Sequence, residues 1–173
     1  MEAKVSCRFE GTPEKGAANM ETGNEVDTRI SGQVNALLGT RRPIAVVDDN
    51  SDDQFFLRRE LSFLFGEMPV ITFPNGAALL HYLQDHFGEE LPWLILLDLH
   101  MTGMDGFRTL EFLHGRKGLN NIPVVVVSGT LDRREKQAAF GYGARAFLPK
   151  PLSRWDFIKI LNGNFKPHRT TRR

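Results

Sequence analysis

Five short apolar runs alternate along the chain with segments whose apolar residues recur at helical spacing. Each run ends at a polar residue or at a proline, and continuous apolar runs of this length are typical of strands buried on both faces. The alternation predicts five strand–helix units that form a parallel sheet covered by helices on both faces. The predicted strands are residues 43–47, 69–73, 93–97, 122–127 and 144–148.

Polar residues at fixed offsets indicate where the helices begin and end. Ser51 and Gln54 have the spacing of a capping box, and Gly66 is expected to end the helix that they open. Ser153 is expected to cap a last helix that runs through Leu161. Two sets of residues at helical spacing are candidates for the buried face of the second helix: Ala77, Leu80 and Leu83, or Ala78, His81 and Tyr82. Four phenylalanines of the first helix are interpreted as core and rim packing, with an exposed patch as the alternative for some: Phe55, Phe56, Phe63 and Phe65.

The overall composition is that of an ordinary globular domain. Hydrophobic residues make up 41% of the chain, and 22 Lys and Arg against 21 Asp and Glu give a formal net charge of +1. This balance offers no bulk attraction to nucleic acid or to an anionic membrane. Cys7 is the only cysteine, which favours a reducing compartment. No apolar run approaches the roughly 20 residues of a spanning helix, and the first residues lack the apolar segment of a secretory signal, so we expect a cytoplasmic protein.

The distribution of residues predicts three parts. Residues 1–40 hold five glycines and scattered charges without periodicity, so we expect a mobile N-terminal arm, either a plain tail or an arm that docks on the domain or on a partner. Residues 41–162 form the folded domain, and residues 163–173 form a basic C-terminal tail. Because so few residues follow the last helix, we expect no DNA-binding or catalytic output module.

Chemically active side chains stand where the predicted strands end. Asp48 and Asp49 follow the first strand, Asp98 the third, Ser128 the fourth and Lys150 the fifth. The carboxyl ends of parallel strands share one edge, where ligands bind at the switch in strand order. Three carboxylates gathered there repel one another unless a divalent cation such as Mg²⁺, or the ammonium of Lys150, compensates their charge. The set suits phosphoryl transfer onto a carboxylate.

This pattern resembles the signature of the CheY-like response-regulator receiver domain of two-component signalling. The motifs that carry the resemblance are Asp48-Asp49, Asp98 with Met104-Asp105-Gly106 behind it, Ser128-Gly129 and Lys150-Pro151. The resemblance covers residues 41–162 and implies a flavodoxin-like (βα)5 fold, a doubly wound parallel sheet with strand order 2-1-3-4-5.

The resemblance also implies a role for each residue. Asp98 is the phospho-acceptor, and Ser128 and Lys150 contact the phosphoryl group. Ser128 and Phe147 form the conformational switch, although Phe147 is equally interpretable as simple core. The Lys150–Pro151 bond is expected to be cis. The implied Mg²⁺ ligands are the carboxylates of Asp49 and Asp98 and the backbone carbonyl of His100, with Asp48 assisting through water.

Three positions depart from the family pattern. Thr102 stands where the family usually has proline, so the loop after Asp98 is expected to be less rigid. Phe147 lacks the hydroxyl of the commoner tyrosine. Pro149 falls within or just after the fifth strand, which is acceptable if that strand lies at the edge of the sheet.

The resemblance predicts a signalling protein rather than an enzyme, one that catalyses only its own phosphorylation and slow dephosphorylation. It implies a sensor histidine kinase or a histidine phosphotransfer protein as phosphoryl donor, phytochrome-like kinases among the candidates. A downstream protein is expected on the face of the fourth helix, fifth strand and fifth helix, and pairing into a homodimer stays open. Neither DNA nor a membrane is an expected partner.

Three other functions are alternatives to the receiver. A receiver-like scaffold that acts without phosphorylation stays open. A phosphatase of the haloacid-dehalogenase type would need an aspartate where His100 stands, and its nucleophile would follow the first strand. A flavodoxin-like FMN binder would need hydroxyl groups after the first strand, where the chain has Asp48, Asp49 and Asn50.

Overall fold

Five parallel strands form a single sheet in the order β2-β1-β3-β4-β5 in the computed structural model. The structure describes residues 42–66, 68–87 and 91–161, so the predicted arm and tail lie outside the described residues. Each neighbouring pair of strands is parallel and in continuous register, which confirms the predicted flavodoxin-like topology. The strands are β1 (Ile44–Val47), β2 (Val70–Phe73), β3 (Leu94–Leu97), β4 (Val124–Ser128) and β5 (Ala146–Pro149).

Five helices connect and follow these strands, and they lie on both faces of the sheet. They are α1 (Ser51–Phe65), α2 (Gly76–Asp85), α3 (Gly106–Gly115), α4 (Arg133–Gly141) and α5 (Arg154–Leu161). Among the described residues, no helix combines the length and the apolar character needed to cross a membrane.

Two apolar cores flank the sheet because successive strand residues point to opposite faces. Ala45 and Ile95 lie in the core that α2, α3 and α4 cover. Ile44 and Leu94 lie in the core that α1 and α5 cover. All four residues of β1 and of β3 are buried, which explains why these runs are continuously apolar instead of alternating.

The capping box predicted at Ser51 and Gln54 is wrong. Asn50 is the N-cap of α1, and its side-chain oxygen accepts hydrogen bonds from the amides of Asp52 at 2.9 Å and Asp53 at 3.4 Å. The side chain of Gln54 is directed elsewhere: its amide group donates to the backbone oxygens of Asp48, which follows β1, and Phe73, which ends β2. Asparagine caps at least as well as serine, so the adjacent Asn50 took the position.

A capping box does form at the last helix. The hydroxyl of Ser153 accepts from the amide of Asp156 at 3.3 Å, and the amide of Ser153 donates to the Asp156 carboxylate at 3.1 Å. The predicted cap at Ser153 is therefore confirmed.

Burial corrects two expectations about helix faces. In α2, Leu80 and Leu83 are buried as one register predicted, but Ala77 is exposed and Leu79, which belongs to neither register, is buried. Of the four phenylalanines of α1, only Phe65 enters the core. The other three phenylalanines of that helix are exposed, as the alternative interpretation predicted: Phe55, Phe56 and Phe63.

Candidate functional site

Backbone hydrogen bonds extend past the strand ends and fix the residues predicted to be functional. The amide of Asp48 donates to the oxygen of Phe73 at 3.0 Å, and the amide of Asp98 donates to that of Val47 at 2.9 Å. The amide of Lys150 donates to the oxygen of Ser128 at 2.8 Å. Both aspartates and the lysine are therefore held at one edge of the sheet by the same ladder that pairs the strands.

The ammonium group of Lys150 joins three carboxylates. Its Nζ lies 2.6 Å from Asp48 Oδ2, 2.7 Å from Asp98 Oδ2 and 2.8 Å from Asp53 Oδ2. The side chains of Asp48 and Asp98 are only 2% and 9% exposed, so their charges need a compensating partner inside the site. Lys150, itself 17% exposed, supplies one positive charge against these carboxylates.

Asp53 is a site residue that sequence reasoning missed. It belongs to the first turn of α1 rather than to a strand end, so the pattern of polar residues at strand ends does not predict it. Side chains in a helix lean towards its N-terminus, and that geometry turns Asp53 back towards the loop after β1. The second acidic pair, Asp52-Asp53, was the available signal.

The site shifts three pKa values in different directions. Burial raises the pKa of the Asp48 carboxyl, and the hydrogen bond from Lys150 opposes this only in part. A hydrogen bond from the backbone amide of Thr102 lowers the pKa of Asp49. Burial alone would lower the pKa of Lys150, but its hydrogen bonds to Asp48, Asp53 and Asp98 raise it above the ordinary lysine value. Lys150 is therefore firmly protonated.

Carboxylate oxygens of Asp48, Asp49 and Asp98 all lie within 4.8 Å of one another. This set of hard anionic oxygens fits a hard divalent cation such as Mg²⁺. Beside it, the amide of His100 donates to Asp98 Oδ1 at 3.1 Å and so fixes the peptide next to the predicted acceptor. The imidazole of His100 points away and pairs with Glu135 at 3.1 Å.

The contacts of the Ser128 hydroxyl and the Phe147 ring are with other residues than the carboxylates of this cluster. Ser128 is the last residue of β4 and is fully buried, and its Oγ accepts from the amide of Thr130 at 3.3 Å. Phe147 is 6% exposed and packs in the core beneath α2, α3 and α4. The Lys150–Pro151 bond is cis, and Pro149 closes β5 at the edge of the sheet.

Gly106 approaches the acceptor strand too closely for any other residue. A β-carbon added there would lie 2.6 Å from the Cα of Leu99 and closer still to the backbone oxygen of Asp98. The amide of Gly106 donates to the oxygen of Leu99 at 3.0 Å, which ties the start of α3 to the loop after β3. The Asp105-Gly106 motif thus has a packing reason as well as a capping one.

A five-stranded parallel sheet that gathers aspartates and a lysine at the switch in its strand order is the arrangement expected of a receiver domain. Residues 44–162 match the family model for the response regulator receiver domain. The chain belongs to this family, whose members bind Mg²⁺ at an acidic pocket and receive phosphoryl groups in two-component systems. The predicted family is confirmed.

Individual relatives agree with this assignment. The chain is 33% identical over 116 residues to the DNA-binding transcriptional regulator NtrC of Escherichia coli; the match covers 67% of this chain but only 23% of that protein, so the chain spans about a quarter of its length. The bacteriophytochrome response regulator AtBRR is 27% identical, with a TM-score of 0.63 over 70% of this chain and 91% of that one. The Mn²⁺-bound response regulator Rcp1 is 26% identical, with a TM-score of 0.59 over 70% of this chain and 90% of that one.

Proposed function

We propose that the chain acts as a single-domain response regulator whose Asp98 accepts a phosphoryl group in a Mg²⁺-dependent reaction. One observation carries the proposal: Asp98 Oδ2 lies 2.7 Å from the ammonium of Lys150, inside a cluster of three carboxylates whose oxygens lie within 4.8 Å of one another. Rcp1 and AtBRR, which this chain matches over nine-tenths of their lengths, support action as a lone receiver.

The proposed metal site uses the carboxylates of Asp48, Asp49 and Asp98 and the backbone carbonyl of His100. Mg²⁺ held there would neutralise charge on the phosphoryl oxygens during transfer. The Mn²⁺-bound form of Rcp1 shows that a relative takes a divalent cation. The charge balance of the site favours such a cation. The single positive charge of Lys150 is set against four carboxylates: Asp48, Asp49, Asp53 and Asp98.

In the proposed reaction, an oxygen of Asp98 forms a bond to phosphorus while the phosphorus–nitrogen bond of a phosphohistidine breaks. The imidazole leaves as the neutral base after it takes up a proton, and an acyl phosphate remains on Asp98. The ammonium of Lys150 then donates its hydrogen bond to a phosphoryl oxygen in place of the Asp98 carboxylate. Its hydrogen bonds to Asp48 and Asp53 keep it at the site. The buried hydroxyl of Ser128 turns from Thr130 to the phosphoryl group, and Phe147 responds as the switch.

The donor is a sensor histidine kinase or a histidine phosphotransfer protein, and the likeness to AtBRR favours a phytochrome-like kinase. The reactions that we propose for the described domain are its own phosphorylation and slow dephosphorylation. A downstream protein contacts the face of α4, β5 and α5. Leu131 before α4 and Trp155 in α5 are both largely exposed and offer apolar contact area there, either to that protein or to a second copy of the chain.

Mass spectrometry of the full chain after incubation with acetyl phosphate and Mg²⁺ tests the proposal. The wild type should gain one phosphoryl group, and it should gain none with EDTA or as Asp98→Asn. Asp105→Asn is the matched control, since Asp105 lies in the same loop and asparagine preserves its cap on α3. Equal labelling of the wild type and Asp98→Asn would overturn the assignment of the acceptor. An unlabelled wild type would favour the scaffold.

A further inference from the structure

The carboxylate of Asp49 is held differently from its two neighbours. Asp48 and Asp98 are buried and share the ammonium of Lys150, whereas Asp49 is exposed and lies outside the ion pairs of that lysine. Asp49 Oδ2 instead accepts a hydrogen bond of 2.8 Å from the backbone amide of Thr102. The bond joins the loop after β1 to the loop after β3 across 53 positions of sequence.

The donor in this contact exists because residue 102 is not proline. Proline has no N–H group, so a chain with proline at this position has no amide to offer Asp49. The sequence predicted that threonine here would loosen the loop after Asp98. The structure shows that the amide of Thr102 donates a hydrogen bond to Asp49, which proline could not do.

A carboxylate that is already oriented loses less conformational freedom when it takes a cation. Hydrogen bonds to the carboxylates that bind a metal tune its affinity, and their loss typically weakens binding between about tenfold and about 100-fold. The Thr102 amide occupies only one of the two oxygens of the Asp49 carboxylate. The orientation that this hydrogen bond imposes favours cation binding.

We infer that Thr102 is a positioning residue for the divalent cation: its backbone amide holds the Asp49 carboxylate ready for binding. The inference rests on the proposed function in assuming that Asp49 is a metal ligand. It assigns the larger effect to the backbone amide of residue 102, and a smaller one to the Thr102 hydroxyl, which also interacts with Asp49.

Three substitutions of Thr102 separate the amide from the hydroxyl. Thr102→Ser keeps both groups, Thr102→Ala keeps only the amide, and Thr102→Pro keeps neither. Calorimetric titration of the full-length, metal-free protein with Mg²⁺ should give Kd values within about twofold of wild type for the serine and alanine variants. The proline variant should bind about tenfold more weakly. Equal affinity of the proline variant and wild type would overturn the inference, as would an alanine variant as weak as the proline one.

A second measurement does not depend on the proline variant being folded. In metal-free protein, NMR should show the Thr102 amide protected from exchange, and Asp49→Ala should remove that protection. Protection that survives Asp49→Ala would overturn the inference. Both measurements stand apart from phosphorylation: a wild type that binds Mg²⁺ but is not labelled by acetyl phosphate leaves this inference supported while the proposed function fails.

Discussion

Lys150 Nζ lies 2.7 Å from Asp98 Oδ2, although 52 positions separate the two residues in sequence. The same nitrogen also donates to Asp48 and to Asp53, so a single ammonium group organises a site assembled from β1, α1, β3 and β5. Without a bound metal ion the site therefore carries a net negative charge. The stability of the fold and the affinity of the site for metal depend on the same few charged groups.

Replacing Lys150 with methionine should destabilise the metal-free protein. Asp48 and Asp98 would keep their buried positions but lose the charge that compensates them, which typically costs about 3 kcal/mol. Urea unfolding in EDTA measures the loss. Saturating Mg²⁺ should recover part of it, since the cation would replace the missing positive charge. Lys136→Met, at an exposed lysine of α4, should change the unfolding free energy by less than about 0.5 kcal/mol. A Lys150→Met protein as stable as wild type in EDTA would contradict the prediction.

Gly106 and Gly115 form a matched pair at the two ends of α3. Gly106→Ala should lower the unfolding free energy by about 2 kcal/mol, because its β-carbon would meet the backbone of Asp98 and Leu99. Gly115→Ala should raise it by about 0.5 kcal/mol, since the added carbon would meet nothing within 4 Å beyond its chain neighbours and its own helix backbone, and alanine is the better helix former. Denaturant unfolding of both variants checks the two signs. The same sign for both would mean that the close approach at Gly106 relaxes freely.

The exposed phenylalanines of α1 should affect the protein donor and not the chemistry. Phe56 is 52% exposed and lies near Lys150, whereas Phe63 is 67% exposed and two turns further along the helix, about 10 Å away. Phe56→Ala should slow transfer from a phosphohistidine protein about tenfold, because an exposed aromatic that lines the same pocket as Lys150 suits a docking contact. Labelling by acetyl phosphate should be unchanged, and Phe63→Ala should have little effect on either donor. An equal loss with acetyl phosphate would assign Phe56 to the chemistry.

The strand–helix alternation was sufficient to predict a parallel sheet covered by helices on both faces, whereas the strand order followed from the resemblance to receiver domains. Strand boundaries differed from the prediction by one or two residues, since apolar residues such as Trp93 and Ile122 continue beyond the paired segment. The cap of α1 was misassigned because Asn50 and Ser51 are both good caps. Sequence spacing alone does not decide which of two adjacent residues takes the extended conformation of a cap.

The parts of the site that strand ends supply were predictable from residue type and position. Asp48, Asp49, Asp98 and Lys150 meet as expected because parallel strands bring their carboxyl ends to one edge. Asp53 comes from a helix turn, and the Thr102 donor is a backbone amide, which almost every residue type carries. Its use as a donor to Asp49 depends on how two loops are placed, and residue spacing does not encode that.

The buried carboxyl of Asp48 should give the metal-free protein a pH dependence that Asp48→Asn lacks. Burial raises the pKa of Asp48 above its ordinary 3.8, so the folded state holds this proton more tightly than the unfolded state does. The stability that Asp48 contributes is therefore present below pH 3.8 and is lost as the pH rises through the raised pKa. The unfolding free energy of wild type minus that of Asp48→Asn, measured with urea in EDTA, should fall as the pH rises above 3.8. With Mg²⁺ the difference should instead rise with pH, because the cation binds the ionised carboxylate. A difference that rises with pH in EDTA would mean that the attraction of Lys150 outweighs the cost of burying the charge.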